Sequence, residues 1–186
     1  MAVAVAPPQT ETLVTGEEML KMGDIGPCDL VEGRIVRRNY ATMRHGACVS
    51  NFAVHLRIEK PSGQIAVGGV GVYTQRNPDT VRSADVVFIS HEWLARVTNR
   101  QGYLDVAPEV VADVLLPEDS RDELQRKLRE YFTVGVLLIF VADPESKTIS
   151  AYRSLTDVRQ LAEDDTLTAD DVLPGFSVPV AALFEE

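Results

Sequence analysis

Cysteine is scarce in this chain of 186 residues: only Cys28 and Cys48 occur, without the close spacing or companion histidines of a zinc site. A disulfide between them cannot be deduced from sequence, and a reduced, cytoplasmic setting is the simplest expectation. Positive charge is also short. There are 18 Lys and Arg against 28 Asp and Glu, a net charge of −10, which argues against a strong non-specific binder of polyanions unless the cations gather in one place. No apolar run approaches the roughly twenty residues needed to cross a bilayer, and the longest, Val134 to Ala142, contains Gly135. No membrane partner is therefore expected. Met1 to Thr10 lacks a basic leading segment and reaches Pro7-Pro8 early, so a loose tail over residues 1–12 is expected in place of a secretion signal. What remains, residues 13–186 of a chain that is 45% hydrophobic, suffices for one domain with its own core.

Local patterns predict the elements. Thr15-Gly16-Glu17-Glu18 has the spacing of a capping box and predicts a short helix through Lys21. Asp29 to Arg38 predicts a small hairpin turning at Glu32-Gly33, and Met43 to Ile58 a helix ended by Pro61-Ser62-Gly63. Gln64 to Tyr73 alternates β-branched residues with Gly68, Gly69 and Gly71, the pattern of a strand bent at its glycines. It lacks the Lys-Ser/Thr ending of a phosphate-binding loop, and no helix follows it. Ser83 to Ser90 and Glu109 to Leu116 are nearly continuous apolar strands of the kind buried on both faces. Glu118 to Thr133 is a strongly amphipathic helix closed by Gly135; Val136 to Ala142 and Thr148 to Arg153 form a hairpin around Asp143-Pro144-Glu145-Ser146. Short strands and a closing apolar segment, Val178 to Phe184, complete the chain. The fold class expected is α/β, a mixed sheet flanked by helices.

Two acids interrupt the apolar strands, Asp85 and Asp113. A charge inside a buried strand costs several kcal/mol unless it is paired or holds a cation, so each needs a partner. A shared Mg²⁺, with Mn²⁺ as substitute, would supply one, since it takes oxygen ligands from one or two carboxylates, water and phosphate. Lys127, on the charged helix that follows, could then position water or offset charge. The competing reading is that each aspartate caps a turn or pairs with an arginine.

Four segments carry a resemblance: RSADVVFI (Arg82 to Ile89), PEVVADVLLPEDS (Pro108 to Ser120), ELQRKLREYFTVGVLLIFVADP (Glu123 to Pro144) and VLPGFSVPVAALF (Val172 to Phe184). DLVEGRIV (Asp29 to Val36) and Arg44-His45 extend it. Together they resemble the Uma-type restriction endonuclease family, a branch of the PD-(D/E)xK nuclease superfamily, over the chain from about Leu13 onward. The resemblance implies a restriction-endonuclease-like fold and metal-dependent hydrolysis of DNA. It puts Asp85 on the aspartate of the PD motif, Asp113 on the second acid, Lys127 on the lysine this branch carries on the next helix, and the Val114 carbonyl among the metal ligands. Leu115 stands where other superfamily members keep their lysine. Glu32 and His45 fall where the family often has polar residues near the cleft; a lone histidine at a helix start is also commonly a cap or a surface residue.

Three departures bear on activity. Ala84 replaces the expected proline, Asp113 is one methylene shorter than the usual glutamate, and Leu116 stands in place of a serine. Arg34, Arg37, Arg38 and Arg44 cluster early, and Arg121, Arg126, Lys127 and Arg129 cluster on the helix. If both sets line one cleft they would hold a phosphate backbone; otherwise they are solvated faces paired with neighbouring acids. Competing with the nuclease are a catalytically silent relative that binds nucleic acid or protein, and a purely structural role. A homodimer is expected if both strands of a duplex are cut, with Trp93 and the surrounding loop free of an obvious core role.

Overall fold

The structure, a computed structural model, describes residues 12–58 and 62–185. The tail expected at 1–12 lies almost wholly outside the described residues, as does Pro61 in the predicted helix stop. The first helix, α1 (Gly16–Lys21), is held by the predicted capping box: the Glu18 carboxylate accepts from the Thr15 amide at 2.8 Å and the Glu18 amide donates to the Thr15 hydroxyl at 3.2 Å. Strands β1 (Cys28–Val31) and β2 (Arg34–Arg37) form the hairpin, and Glu32 and Gly33 turn it with φ of 50° and 77°. Helix α2 (Met43–Ile58) keeps the predicted bounds and buries Cys48, Phe52 and Leu56.

Strand β3 (Gly63–Gln75) is longer than predicted and pairs antiparallel with β4 (Thr80–Ser90). Its register slips between Val67 and Val70, where Gly68 and Gly69 take φ of 98° and 75°, so the bend read from the glycines is a β-bulge. Helix α3 (His91–Leu94) follows, and Arg96 lies over the half-buried ring of Trp93. Strand β5 (Val110–Val114) is buried at every position, including Asp113.

Helix α4 (Arg121–Val134) starts three residues later than predicted, because Ser120 is the cap, its hydroxyl accepting from the Glu123 amide. Gly135, at φ 104°, closes it as expected. Strands β6 (Leu138–Asp143) and β7 (Thr148–Tyr152) form the second hairpin, and β8 (Val158–Leu161) extends it. Strands β9 (Thr166–Thr168) and β10 (Ser177–Pro179) pair apart from the main sheet, and α5 (Val180–Leu183) occupies most of the closing apolar segment.

The main sheet runs β2-β1-β4-β5-β6-β7-β8, with β3 on the other edge of β4 and β5 parallel to β6. One face packs α2, α5 and the C-terminal segment on Val86, Val110, Ala112 and Phe140. The other packs Leu128 and Tyr131 of α4 on Val87, Val111, Ile139 and Val141. The fold is thus a mixed sheet between helices, as expected. Among the described residues no helix is long and apolar enough to cross a membrane.

One edge of β4 is divided between two partners. Val81 pairs with Leu30 of β1, and Val86 to Phe88 pair with β5, while Arg82 to Asp85 lie between the two ladders. Side chains satisfy the backbone there. The Ser83 amide donates to Asp29 at 2.9 Å, the Ser83 carbonyl accepts from Lys127 at 2.7 Å, and the Asp85 amide donates to Asp113 at 3.2 Å. On the opposite edge, the bulge at Gly68-Gly69 sits across from Asp85.

Candidate functional site

The divided edge is the floor of a cleft of about 420 Å³, walled by the start of α2, the segment before it, the β3 bulge and the start of α4. Asp85 reaches it from β4 and Asp113 from β5; Lys127 arrives from α4 and His45 from α2, on opposite faces of the sheet. The three predicted principal residues therefore meet. Lys127 Nζ lies 2.8 Å from Asp113 Oδ2, and its ammonium also stands 5.6 Å from the ring centre of Tyr131. Asp85 Oδ2 accepts from the Val114 amide at 2.8 Å and lies 3.3 Å from His45 Nε2.

The electrostatics separate the two acids. Burial pushes the Asp113 carboxyl up, with the neighbouring Asp85 charge adding to the rise and Lys127 opposing it. Burial pushes on Asp85 as well, but hydrogen bonds from His45 and the Val114 amide outweigh it and hold this carboxyl below its ordinary value. The hydrogen bond to Asp85 in turn raises the His45 imidazole, whose buried Nδ1 has no partner among the described residues. Two adjacent carboxylates, one buried and one partly open at 24% side-chain exposure, make an oxygen-rich point, with the Lys127 amine already against the buried one.

Beneath the floor lies a network that sequence reasoning missed. Arg82, fully buried, donates to Asp29 at 3.2 Å, to Glu123 at 2.5 Å and to both oxygens of Glu130 at 2.5 and 2.8 Å. Glu123 and Glu130 flank Lys127 on α4, so this arginine fixes the helix that presents the lysine. Asp29, also buried, ties Arg82 and Arg38 to the Ser83 amide. The signal was available, because the rule applied to Asp85, that a charge in a buried strand needs a partner, applies equally to Asp29 and Arg82.

The secondary candidates divide. His45 is at the cleft, but Glu32 is not: it sits on the hairpin turn, exposed, 3.7 Å from Arg126. Of the arginines expected to line a groove, Arg38 does so, bonded to Asp29 and Asp119 at 3.3 Å each. Arg37 donates to the Ile25 carbonyl, and Arg126 lies between Glu32 and Glu130. Neither they nor Arg34 and Arg44 are on the cleft wall, so the expected joint groove reduces there to Arg38 and Lys127.

The sequence model of the Uma2 family, described as "Putative restriction endonuclease", matches residues 17–181. No curated protein matches the chain. A crystal structure described as "a putative nuclease belonging to DUF820" from Anabaena variabilis ATCC 29413 is similar, with a TM-score of 0.75 at 16% identity over 92% of this chain and 97% of that one. At that identity the likeness concerns the fold. The family match spans nearly the whole chain: it belongs to the Uma2 family, and that membership supports a nuclease-like function.

Proposed function

We propose that the chain is a metal-dependent endonuclease that hydrolyses DNA phosphodiester bonds in this cleft. The observation that carries the reading is the meeting of Asp85, Asp113 and Lys127, from three separate elements, on one recessed floor. Asp85, Asp113 and the Val114 carbonyl would hold Mg²⁺, or Mn²⁺, as oxygen ligands. Among the described residues no group of three or more His, Cys, Asp or Glu is arranged to hold a metal ion, so an ion bound here would take its remaining ligands from water and substrate oxygens. Such a cation would lower the pKa of a bound water and offset charge on the attacked phosphate.

The chain's own residues do the rest. His45 and the Val114 amide fix the orientation of Asp85. Lys127, fastened by Asp113 and the Ser83 carbonyl, keeps an ammonium beside the carboxylates, where it would orient water or stabilise the pentavalent phosphorus. Arg38, on the wall, would bind a phosphate oxygen. A homodimer would offer two such clefts to a duplex, and the two free thiols fit a cytoplasmic setting.

A second reading, a catalytically silent binding module, draws on the Lys127–Asp113 pair, in which the ammonium already neutralises one acid. Cleavage of supercoiled plasmid and single-stranded DNA with Mg²⁺ or Mn²⁺, beside Asp85→Ala and Lys127→Ala, separates the two. Loss of nicking in both variants is expected of the nuclease. Equal nicking by parent and variants refutes this site, and calorimetry showing no uptake of Mn²⁺ supports the silent form.

A further inference from the structure

The catalytic candidates are recessed. Asp113 and Lys127 are 5% and 6% exposed at the bottom of the cleft, below walls that include Pro27, Val49, Leu115 and Leu116. Duplex DNA is a rod, stiff over roughly 150 base pairs, with its phosphates on a convex surface. Lowering one of its phosphates toward a recessed floor carries the cost of bending or opening the duplex, a cost that a flexible single strand does not bear. The cleft volume of about 420 Å³ is of the size that encloses one small ligand or nucleotide unit.

The wall above the floor has an unusual member. Tyr40, on the segment between β2 and α2, is 78% exposed, and Met43, three residues on, is 86% exposed; no other described large hydrophobic side chain is as open. Tyr40 lines the cleft. An open aromatic face beside a phosphodiester site is a platform for a nucleobase, and stacking of this kind is indifferent to sequence.

Charge points the same way. Tight duplex binding draws on many lysine and arginine contacts to phosphate. Here the wall arginine Arg38 is shared with Asp29 and Asp119, Arg126 with Glu32 and Glu130, and the chain as a whole carries −10. A ligand held by base stacking plus one or two phosphate contacts suits this surface better than one held by its backbone charge.

We infer that the cleft takes an unpaired nucleic-acid strand, with a base stacked on Tyr40, in preference to an intact duplex; this rests on the nuclease reading above. One cleft then suffices for a cut. The test measures fluorescence anisotropy in EDTA, and cleavage with Mg²⁺, of a labelled 20-nucleotide DNA strand, the same strand annealed to its complement, and the same strand with abasic sites. The probes are presented to the full chain and to Tyr40→Ala and Tyr40→Trp. Binding and cleavage of the single strand should exceed those of the duplex, and Tyr40→Ala should weaken single-strand binding roughly tenfold, within the range that loss of one stacked base produces. The abasic strand should be weakened similarly and be insensitive to Tyr40→Ala, while Tyr40→Trp restores binding to the natural strand. Duplex cleaved as fast as the single strand, with Tyr40→Ala unaffected, overturns this inference and leaves the nuclease reading standing. Absence of binding and cleavage with every probe overturns both.

Discussion

Replacing Arg82 with methionine keeps the length of an unbranched side chain and deletes the guanidinium that joins β4 to α4. In the parent, that group is fully buried and shared among Asp29, 2% exposed, Glu130, 22% exposed, and Glu123, 42% exposed. Glu123 can turn to solvent, so its share of the loss is small. Asp29 and Glu130 cannot do so fully, and a buried ion pair broken from one side typically costs about 3–5 kcal/mol. For a chain of this size, each kcal/mol lowers the melting temperature by about 2–4 °C, so the melt should fall on the order of 10 °C. Urea unfolding at neutral pH, followed by circular dichroism, measures the free energy directly. Adding Glu130→Gln to the methionine variant should recover more than about 1 kcal/mol, because it removes one stranded charge. A loss below about 1 kcal/mol for Arg82→Met, or no recovery in the double variant, would refute the view that this network fastens the helix carrying Lys127.

Other expectations follow from single contacts. Gly69 has φ of 75°, and an added Cβ would meet the Ser83 hydroxyl at 2.9 Å, so Gly69→Ala should cost about 1–2 kcal/mol in a urea titration and disturb the backbone opposite Asp85. Burial pushes the Cys48 thiol up to about 12, so iodoacetamide at pH 8 should label it only once the chain is unfolded; labelling in native buffer would contradict its placement on the buried face of α2. The hydrogen bond from Arg153 holds the Asp171 carboxyl below its ordinary value. Because the folded value lies under the unfolded one, this pair's contribution is full above about pH 4 and is lost as the pH falls through the folded value. With Asp171 half exposed it amounts to at most about 0.5 kcal/mol, and Asp171→Asn should flatten that part of the stability curve between pH 5 and 2, a range set at about one to two units around the reference value.

Locally encoded features were legible in the sequence. The capping box at Thr15 and Glu18, the hairpin turn at Glu32-Gly33, the bulge glycines of β3 and the Gly135 stop each depend on residues a few positions apart. The convergence of Asp85, Asp113 and Lys127 was legible for a different reason: acids in apolar strands demand partners, and the family resemblance named the lysine. What could not be read is the register between distant strands. Nothing local announces that β1 and β5 share one edge of β4, and so nothing announced Asp29 as a neighbour of Ser83, or Glu123 and Glu130 as partners of Arg82. The placement of Glu32 and Arg126 was hidden on the same account: the fold sets them beside each other, 3.7 Å apart, off the cleft wall.

The shared edge of β4 also bears on how such a chain ages. The carboxylate of Asp113 and the amine of Lys127 close backbone valences of Asp85 and Ser83 that no strand reaches, and an unmet buried group of that kind costs about 1–3 kcal/mol. Selection for a stable molecule alone would preserve both residues after hydrolysis had ceased to matter. Their presence in a descendant therefore testifies first to an intact sheet, whereas Tyr40, 78% exposed on the cleft wall, is the position free to drift once the cleft has no substrate to greet.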